Sequence, residues 1–274
     1  LQSGLKPLET VGEQASRIDA GSLQQRFPVD ALPGELVPIA GRLNDLLDRM
    51  EESFERERRF SADLAHEPRT PVAELKSMAE VAIKWPEQAT PDNYQDVQDI
   101  SDRMQAMIEN LLMLARLEND RAKITSEPVR LRDLTESNWK PFAVKAADRQ
   151  LSLNLSVGND DSLETDPKLL GIIVTNLLSN AADYAPDNSA IKVNGTDSDI
   201  VFSVSNPAPD LKSGDLDHLF ERLWRKDSSR SDDSHSGLGL ALAKSCSDVL
   251  RLELTANLDE ESNLTVQLRR RPVS

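Results

Sequence analysis

Apolar residues follow a helical repeat through the first third of the chain. Between Arg42 and Lys84 they recur at alternating three- and four-residue steps, and the repeat weakens between Phe54 and Leu64. The apolar seam consists of Leu43, Leu47, Met50, Phe54, Leu64, Pro68, Val72, Leu75, Ala79 and Ala82. This spacing is typical of a coiled coil or a helical bundle. It predicts one long helix, which is bent where two prolines follow residue 66.

A second long helix is predicted after a turn. The stretch "WPEQATPDN" interrupts the repeat, and Pro91 followed by Asp92 is a helix start. The next apolar stripe contains Tyr94, Val97, Ile100, Met104, Ile108, Leu111 and Ala115. Because a single antiparallel pair of helices cannot cover both apolar seams, we expect a four-helix bundle made from two chains, and therefore a homodimer.

Residues 1–40 combine a short helical pattern with a connector. The connector, "DAGSLQQRFPVDALPGELVPIAG", is rich in Gly and Pro. The apolar positions before it are Leu5, Leu8, Val11, Ala15 and Ile18. This order predicts a helix, a connector and a second helix.

The periodicity changes after residue 126. Alternating patterns typical of half-buried strands occur at 151–157, 190–195, 199–206, 251–258 and 263–269, the last two as a hairpin. Helical patterns lie between them at 131–149, 166–183 and 237–250. We therefore expect a multidomain chain, in which an all-α dimeric helical bundle precedes an α+β sandwich with its helices on one face of a sheet.

Charge and composition exclude some classes of protein. The chain has 47 acidic and 32 basic residues, a net charge of −15, and no basic run longer than the three arginines at 269–271. Such a chain repels a phosphate backbone, so we expect no nucleic-acid partner. The single cysteine, Cys246, lies in an apolar run and predicts a buried thiol in a reducing compartment.

The expected location follows from the hydropathy of the chain. No segment approaches the roughly 18 apolar residues that a membrane span needs. The chain begins "LQSGLK" without a methionine. We therefore expect a fragment from which a membrane anchor upstream was removed.

The segment "HEPRTP" (66–71) places a histidine beside an acid where the apolar seam has weakened. His66 lies two positions past Leu64, off the seam and towards solvent. A zinc peptidase would need a second histidine one helical turn later, but residue 70 is a threonine. Thr70 lies one turn after His66 on the same helical face.

The longer segment "FSADLAHEPRTPVAEL" resembles the phosphoacceptor box of sensor histidine kinases, in which a leucine usually occupies the position of Pro68. The resemblance implies that His66 attacks the γ-phosphate of ATP. It implies that Glu67 orients the imidazole ring or takes its other proton. It also implies that Thr70 positions a water molecule that removes phosphate from the partner protein, a response regulator.

A helix further along the chain resembles the asparagine box of the same family's ATP-binding domain. The segment is "DPKLLGIIVTNLLSNAADYAP". The resemblance implies that Asn176 and Asn180 bind the nucleotide and that Asn180 coordinates Mg²⁺ between the phosphates. Tyr184 would border the nucleotide.

Two segments after this helix complete the resemblance. "HLFERLWRKDSSR" (218–230) resembles the phenylalanine box that opens the lid over ATP. "SGLGLALAKS" (236–245) resembles a glycine box, in which Gly237 and Gly239 let backbone amides approach phosphates at a helix start.

The chain departs from the family pattern at several positions. In "SNPAPDL", Asn206 replaces the acid that accepts a hydrogen bond from the adenine amine, and Ala208 replaces a glycine. An amide oxygen accepts the same bond without charge assistance, so the bond is weaker. Asp183 stands where many members carry a basic residue, and "SHS" replaces the glycines usual before Gly237. Either Asp183 points to solvent, or Lys226 and Arg230 supply the missing positive charge.

The resemblance divides the chain into three domains. Residues 1–55 resemble a HAMP relay module, residues 56–122 the dimerisation and histidine-phosphotransfer hairpin, and residues 127–274 the ATP-binding catalytic domain. The implied function is autophosphorylation of His66 from ATP and Mg²⁺, followed by transfer of the phosphate to an aspartate on the receiver domain of a response regulator. The resemblance allows phosphatase activity towards that regulator as well. It also implies a cytoplasmic fragment of a bacterial inner-membrane protein, whose transmembrane segment lies upstream of the sequence given.

One alternative is a degenerate dimeric scaffold or phosphatase for the same regulator. The departures at Asn206 and Asp183 favour it, whereas His66, Asn180 and the two glycines favour the kinase. An ATP-driven chaperone or topoisomerase with the same nucleotide fold would have no use for the histidine box.

Overall fold

The structure, a computed structural model, describes residues 12, 16, 19, 22–29, 32–34, 36–66, 68–88, 90–118, 124–226 and 237–272, without the side chains of residues 56, 57, 59–66, 88, 91 and 118. The chain divides into two compact units, Leu1–Thr70 and Pro71–Ser274.

In the first unit, the connector packs against helix α1 (Val37–His66). The amide of Asn44 accepts a hydrogen bond from the Phe27 N–H at 2.9 Å and donates one to the Phe27 carbonyl oxygen at 3.1 Å. Arg26 forms ion pairs with Asp48 at 2.6 Å and Glu51 at 2.5 Å.

The connector and α1 also share an apolar cluster. It consists of Leu23, Phe27, Ala40 and Leu47, with Val29, Leu32 and Leu43 packed against it. The predicted connector is therefore attached to the helix that follows it. The helix predicted before the connector lies almost wholly outside the described residues.

The long helix predicted through the histidine segment is two helices instead. Helix α1 ends at His66, and helix α2 spans Arg69–Lys84. Pro68 lies in a turn directly before α2, and a proline disfavours helical geometry in the residue that precedes it. Pro71 is the third residue of α2, in the first turn, where a missing N–H breaks no intrahelical hydrogen bond. The prolines therefore separate two helices, and the prediction of one bent helix was wrong.

Helix α3 (Pro91–Glu118) begins at the predicted proline. The Asn93 side chain accepts a hydrogen bond from the Thr90 N–H at 2.8 Å, which satisfies a donor at this helix start. On the outer surface, Arg103 of α3 lies 3.9 Å from Glu74 of α2. Among the described helices, none is both long and apolar enough to cross a bilayer.

The described residues of the second unit that follow α3 include seven strands. They are β1 (Glu127–Arg130), β2 (Ser152–Ser156), β3 (Ser162–Thr165), β4 (Ala190–Asn194), β5 (Ile200–Pro207), β6 (Leu252–Leu258) and β7 (Asn263–Arg270). Five of them form a sheet in the order β2-β4-β5-β7-β6, in which β2 and β4 are parallel and the other pairs are antiparallel. All five were predicted. β1 and β3 form a separate antiparallel pair and were missed, because four residues are too few for a recognisable alternation.

Four α-helices accompany the strands in the described part of this domain. They are α4 (Leu131–Trp139), α5 (Ala143–Asp148), α6 (Pro167–Tyr184) and α7 (Gly239–Val249). Helices α6 and α7 confirm the predictions. The single helix predicted at 131–149 was wrong, because a 3₁₀ turn at Lys140–Phe142 separates α4 from α5. Pro141 lies in that turn, and it has no N–H to donate to an α-helical hydrogen-bond ladder.

Helix α6 supplies much of the core of the α+β domain. It contacts α7, α4 and strand β5. Its buried residues are Leu169, Leu170, Ile173, Val174, Leu177, Leu178, Ala181 and Ala182. From the sheet, Ile191, Val193, Val201, Phe202 and Val204 are buried as well, and strand β5 contacts α6. Since each buried Leu, Ile or Val contributes about 2 kcal/mol, this interface fixes the rotation of α6 about its axis.

The N-terminus of α6 is held by a buried carboxylate. Oδ1 of Asp166 accepts hydrogen bonds from the N–H groups of Lys168 and Leu169, both at 3.0 Å. Oδ2 accepts one from the N–H of Thr125 at 2.9 Å. Desolvation by burial acts to raise the pKa of Asp166, but the hydrogen bonds from Thr125, Leu169 and Lys168 outweigh it, and the pKa is lowered. Asp166 therefore ties the segment before β1 to the base of α6.

The first prediction concerns the break between α1 and α2. Replacing Pro68 with leucine restores an N–H group and removes the restraint on the preceding residue. Because Pro71 remains, we expect a gain of about 1 kcal/mol in the free energy of unfolding, together with slower amide exchange around residues 67–70. Ala73→Leu, an added leucine at an exposed position of α2, is the control. Unchanged stability and exchange in Pro68→Leu would show that the break does not depend on this proline.

The second prediction concerns Asp166. Asp166→Ala should lower the free energy of unfolding by about 2 kcal/mol near pH 7, because three N–H groups lose their acceptor. Asp166→Asn keeps one acceptor oxygen and should lose about half as much.

The pH dependence gives a separate check of Asp166. Since folding lowers the pKa of this carboxyl, its contribution is complete above about pH 4 and is lost as the pH falls through the lower folded pKa. The difference in stability between wild type and Asp166→Asn should therefore shrink towards about pH 3. A difference in chemical-denaturation free energy that is constant with pH contradicts this prediction.

Candidate nucleotide site and phosphoacceptor segment

Two asparagines line the side of α6 that borders its buried face. Asn176 and Asn180 are both half-buried and lie one helical turn apart. The Nδ2 group of Asn176 donates to the Ile172 carbonyl oxygen at 2.8 Å. The Asn180 side chain makes no hydrogen bond with any of the described residues, so its amide oxygen is available to a ligand. Tyr184, one turn further along, is exposed.

The first turn of α7 lies against Asn176. A Cβ atom placed on Gly239 would be 2.6 Å from Oδ1 of Asn176. Any larger residue would therefore push this amide out of position. The close contact brings the predicted asparagine and glycine boxes together, although 62 residues separate them in the sequence.

Gly237 is required by the backbone itself. Its φ angle is +64°, and a Cβ there would lie 2.9 Å from the Cα and carbonyl carbon of Leu223. The Gly237 carbonyl oxygen accepts a hydrogen bond from the Leu223 N–H at 3.0 Å. The glycine thus allows the chain to pass close to the segment after the 3₁₀ helix Ser213–His218, at the entry to α7.

Asn206 lies on β5 and is buried. Its Nδ2 group donates to the Pro207 carbonyl oxygen at 2.9 Å, which fixes the orientation of the amide. Its Oδ1 atom accepts no hydrogen bond from the described residues and can accept one from a ligand amine. An aspartate could not donate to Pro207, so the asparagine that departs from the family pattern fits this backbone better. The loop after β5 is held by a 2.7 Å hydrogen bond from the Ala208 N–H to the Ser262 carbonyl oxygen.

The side chain of Asp183 does not point to solvent, and it is paired with a lysine from another helix. Its side chain is 6% exposed and lies 2.7 Å from Nζ of Lys145 on α5. Ser179 donates a second hydrogen bond to it at 3.0 Å. Lys226 is paired with Asp215 at 2.7 Å, an ion pair that lowers the pKa of Asp215. Arg230 lies outside the described residues. The ion pair between Lys145 and Asp183 was not predicted, because no local sequence pattern links the two residues.

The boundary between the two units falls within the phosphoacceptor segment, after Thr70. His66 is the last residue of α1; its side chain and all of Glu67 lie outside the described residues. Thr70 is the second residue of α2 and is exposed. The helix break therefore falls between the predicted nucleophile and the predicted phosphatase residue.

Two further residues singled out from the sequence are Cys246 and His218. Cys246 is fully buried, and burial, with a smaller effect of the Asp166 charge, raises the pKa of its thiol to about 12. His218 is exposed and lies 3.1 Å from Glu221. Within the described residues, no cluster of three or more His, Cys, Asp or Glu side chains could hold a metal ion.

Three segments of the chain match known domain families. Residues 5–52 match the family described as "Sensor protein PhoQ-like, HAMP domain". Residues 56–120 match "His Kinase A (phospho-acceptor) domain", and residues 165–272 match "Histidine kinase-, DNA gyrase B-, and HSP90-like ATPase". The three matches follow the order expected from the sequence.

Individual proteins agree with the family matches. The sensor protein CopS of Pseudomonas syringae pv. tomato is 31% identical over 242 residues, which are 87% of this chain and 49% of CopS. The chain spans about half the length of the curated relatives it matches. The chain belongs to the two-component sensor histidine kinases, and its second unit carries their ATP-binding domain.

Solved structures share the fold. The Acinetobacter baumannii histidine kinase AdeS has a TM-score of 0.60 at 18% identity, with 75% of this chain and 98% of that chain covered. Histidine kinase ThkA, in complex with response regulator protein TrrA, also has a TM-score of 0.60 at 18% identity, with 82% and 66% covered. At this identity the likeness shows the fold alone.

The third prediction tests the contact between α6 and α7. Gly239→Ala should turn the Asn176 amide out of its position, because the added methyl group and Oδ1 cannot share the same space. We expect ATP affinity to fall about tenfold, with only a small change in melting temperature, since one flexible amide can move to relieve the overlap.

The control for this prediction is Gly214→Ala. A Cβ at Gly214 meets nothing within 4 Å, so this variant should bind ATP like the wild type. Equal ATP affinity of Gly239→Ala and the wild type in calorimetry contradicts a role for the contact in nucleotide binding.

Proposed function

We propose that this chain is the signalling portion of a membrane sensor histidine kinase. It transfers the γ-phosphoryl group of ATP to His66 and then to an aspartate on the receiver domain of a response regulator. The main support is the side-chain amide of Asn180, which has no hydrogen-bond partner among the described residues and lies one helical turn from the contact between Asn176 and Gly239. The same chain carries the segment "HEPRTP", which begins at the end of a helix.

The described residues fit ATP. The free Oδ1 of Asn206 would accept a hydrogen bond from the adenine amine, and the exposed ring of Tyr184 would border the nucleotide. Backbone N–H groups from Gly237 to the first turn of α7 would meet phosphates at a helix N-terminus.

The residues also fit Mg²⁺, which prefers oxygen ligands and keeps several waters. Asn180 would supply the protein ligand, and Asn176, which is fixed by Ile172 and Gly239, would complete the amide surface. When bound, the ion neutralises charge that develops on the phosphates.

His66 would act as the nucleophile. A neutral imidazole nitrogen forms the bond to phosphorus as the bond from phosphorus to the ADP oxygen breaks, and the proton on the other ring nitrogen passes to the Glu67 carboxylate. His66 is the last residue of α1. Thr70, exposed on the next helix, would position water for dephosphorylation of the regulator.

The proposed partners are a second copy of this chain and a receiver domain. Apolar residues of the predicted seams are exposed in the single chain, which supports a homodimer; they include Met50, Phe54, Val72 and Ile108. ThkA is described in complex with a response regulator, which supports a partner of the same kind here. The match to a HAMP domain supports a transmembrane segment upstream. The net charge of −15 speaks against nucleic acid.

The second candidate is a scaffold or phosphatase without kinase activity. Its main support was the pair of departures at Asn206 and Asp183. The open Oδ1 of Asn206 and the ion pair between Lys145 and Asp183 remove the two objections to ATP binding. Both observations therefore favour the kinase.

The fourth prediction separates the two candidates. With γ-labelled ATP and Mg²⁺, the wild-type chain should acquire a label that is labile in acid and stable in base. His66→Gln should acquire none, yet bind ATP as the wild type does. His218→Gln, which removes an exposed histidine of the nucleotide domain, is the matched control and should be labelled.

The outcomes are distinct. A wild type that binds ATP without acquiring label favours the scaffold. Acid-labile label that persists in His66→Gln contradicts the assignment of the nucleophile.

A further inference from the structure

A lysine from another helix contacts the side of α6 on which the two asparagines lie. Lys145 lies on α5, and its Nζ is 2.7 Å from Oδ1 of Asp183. Asn176, Asn180 and Asp183 follow each other at four- and three-residue steps, so they lie on one stripe of α6. The ion pair therefore stands at the end of the amide stripe that the nucleotide would contact.

The position of Lys145 is determined by packing. Arg149, four residues after it, donates to the carbonyl oxygens of Ala182 at 2.6 Å and Ala185 at 2.5 Å. It also pairs with Asp187 at 2.8 Å. These contacts hold the end of α5 against the last turn of α6, where the unpaired carbonyl groups favour a cation. The guanidinium of Arg149 is therefore used in contacts with α6 and Asp187. The ammonium group of Lys145 contacts only Asp183 among the described residues.

The pair can accept a further anion. The Asp183 side chain is 6% exposed, while that of Lys145 is 53% exposed, so the positive member of the pair faces solvent. An ammonium group has three donors, and Asp183 takes one of them. The other two remain for a ligand.

We infer that Lys145 is a phosphate-binding residue of the nucleotide site, held there by Asp183. This inference rests on the proposed function. An acid alone at position 183 would repel a polyphosphate, whereas the pair is neutral overall and presents its donors outward. The ion pair with Asp183 restricts the long side chain of Lys145 before a ligand binds, which reduces the conformational entropy lost when the phosphate binds. The cation thus comes from α5 rather than from α6.

The test uses the full chain with Lys145→Met and Asp183→Asn combined. This double variant keeps the net charge and side chains of similar size, and it removes the outward donor together with the ion pair. Calorimetry with ATP should show affinity about tenfold weaker than wild type. Adenosine, which has no phosphate, should bind within about twofold of wild type.

The matched control is Arg130→Met combined with Asp133→Asn. It neutralises an exposed ion pair of 2.9 Å on the same domain and should leave ATP affinity unchanged. Equal ATP affinity of the Lys145 double variant and the wild type overturns this inference and leaves the proposed function intact. A wild type that does not bind ATP overturns the kinase proposal and this inference together. A loss that is equal for ATP and adenosine overturns the phosphate contact.

Discussion

Burial of one face of α6 is the constraint on which the nucleotide surface depends. Its leucines, isoleucine and valine must be buried against the sheet and the neighbouring helices, because leaving any of them in water costs about 2 kcal/mol. Once that face is buried, the helix has a single rotation, and Asn176 and Asn180 lie on the border between core and solvent. The first turn of α7 then approaches so closely that a Cβ atom at position 239 would displace the Asn176 amide. Apolar packing thus sets the orientation of this polar surface, and the hydrogen bonds of Asp166 and Asn176 add to it.

The local irregularities of the chain coincide with the proposed chemistry. Pro68 separates two helices beside His66, and Gly237 takes a left-handed conformation at the entry to α7. Asn206 uses one end of its amide for its own backbone and leaves the other end open. Sequences usually break local rules where function requires it. In this chain, Gly237 lets two segments approach each other, and Asn206 keeps one acceptor oxygen for a ligand.

The sequence could predict what periodicity encodes. The five strands of the sheet, α6, α7 and the start of α3 follow from two- and 3.6-residue repeats and from a proline. It could not predict the ion pair of Lys145 with Asp183, because the two residues are 38 positions apart and meet only through tertiary packing. The end of α1 was missed for a different reason. An apolar seam continues past Pro68 and indicates which face is buried, but it does not show that the backbone turns there.

Amide hydrogen exchange of the whole chain with and without ATP and Mg²⁺ tests the central claim most directly. The claim is that one surface, formed by the amide stripe of α6, the end of β5 and the entry to α7, receives the nucleotide. We expect added protection at residues 176–184, 206–208 and 237–241 and none in the separate pair of strands β1 and β3. Protection in β1 and β3 without protection at residues 176–184 would contradict the account.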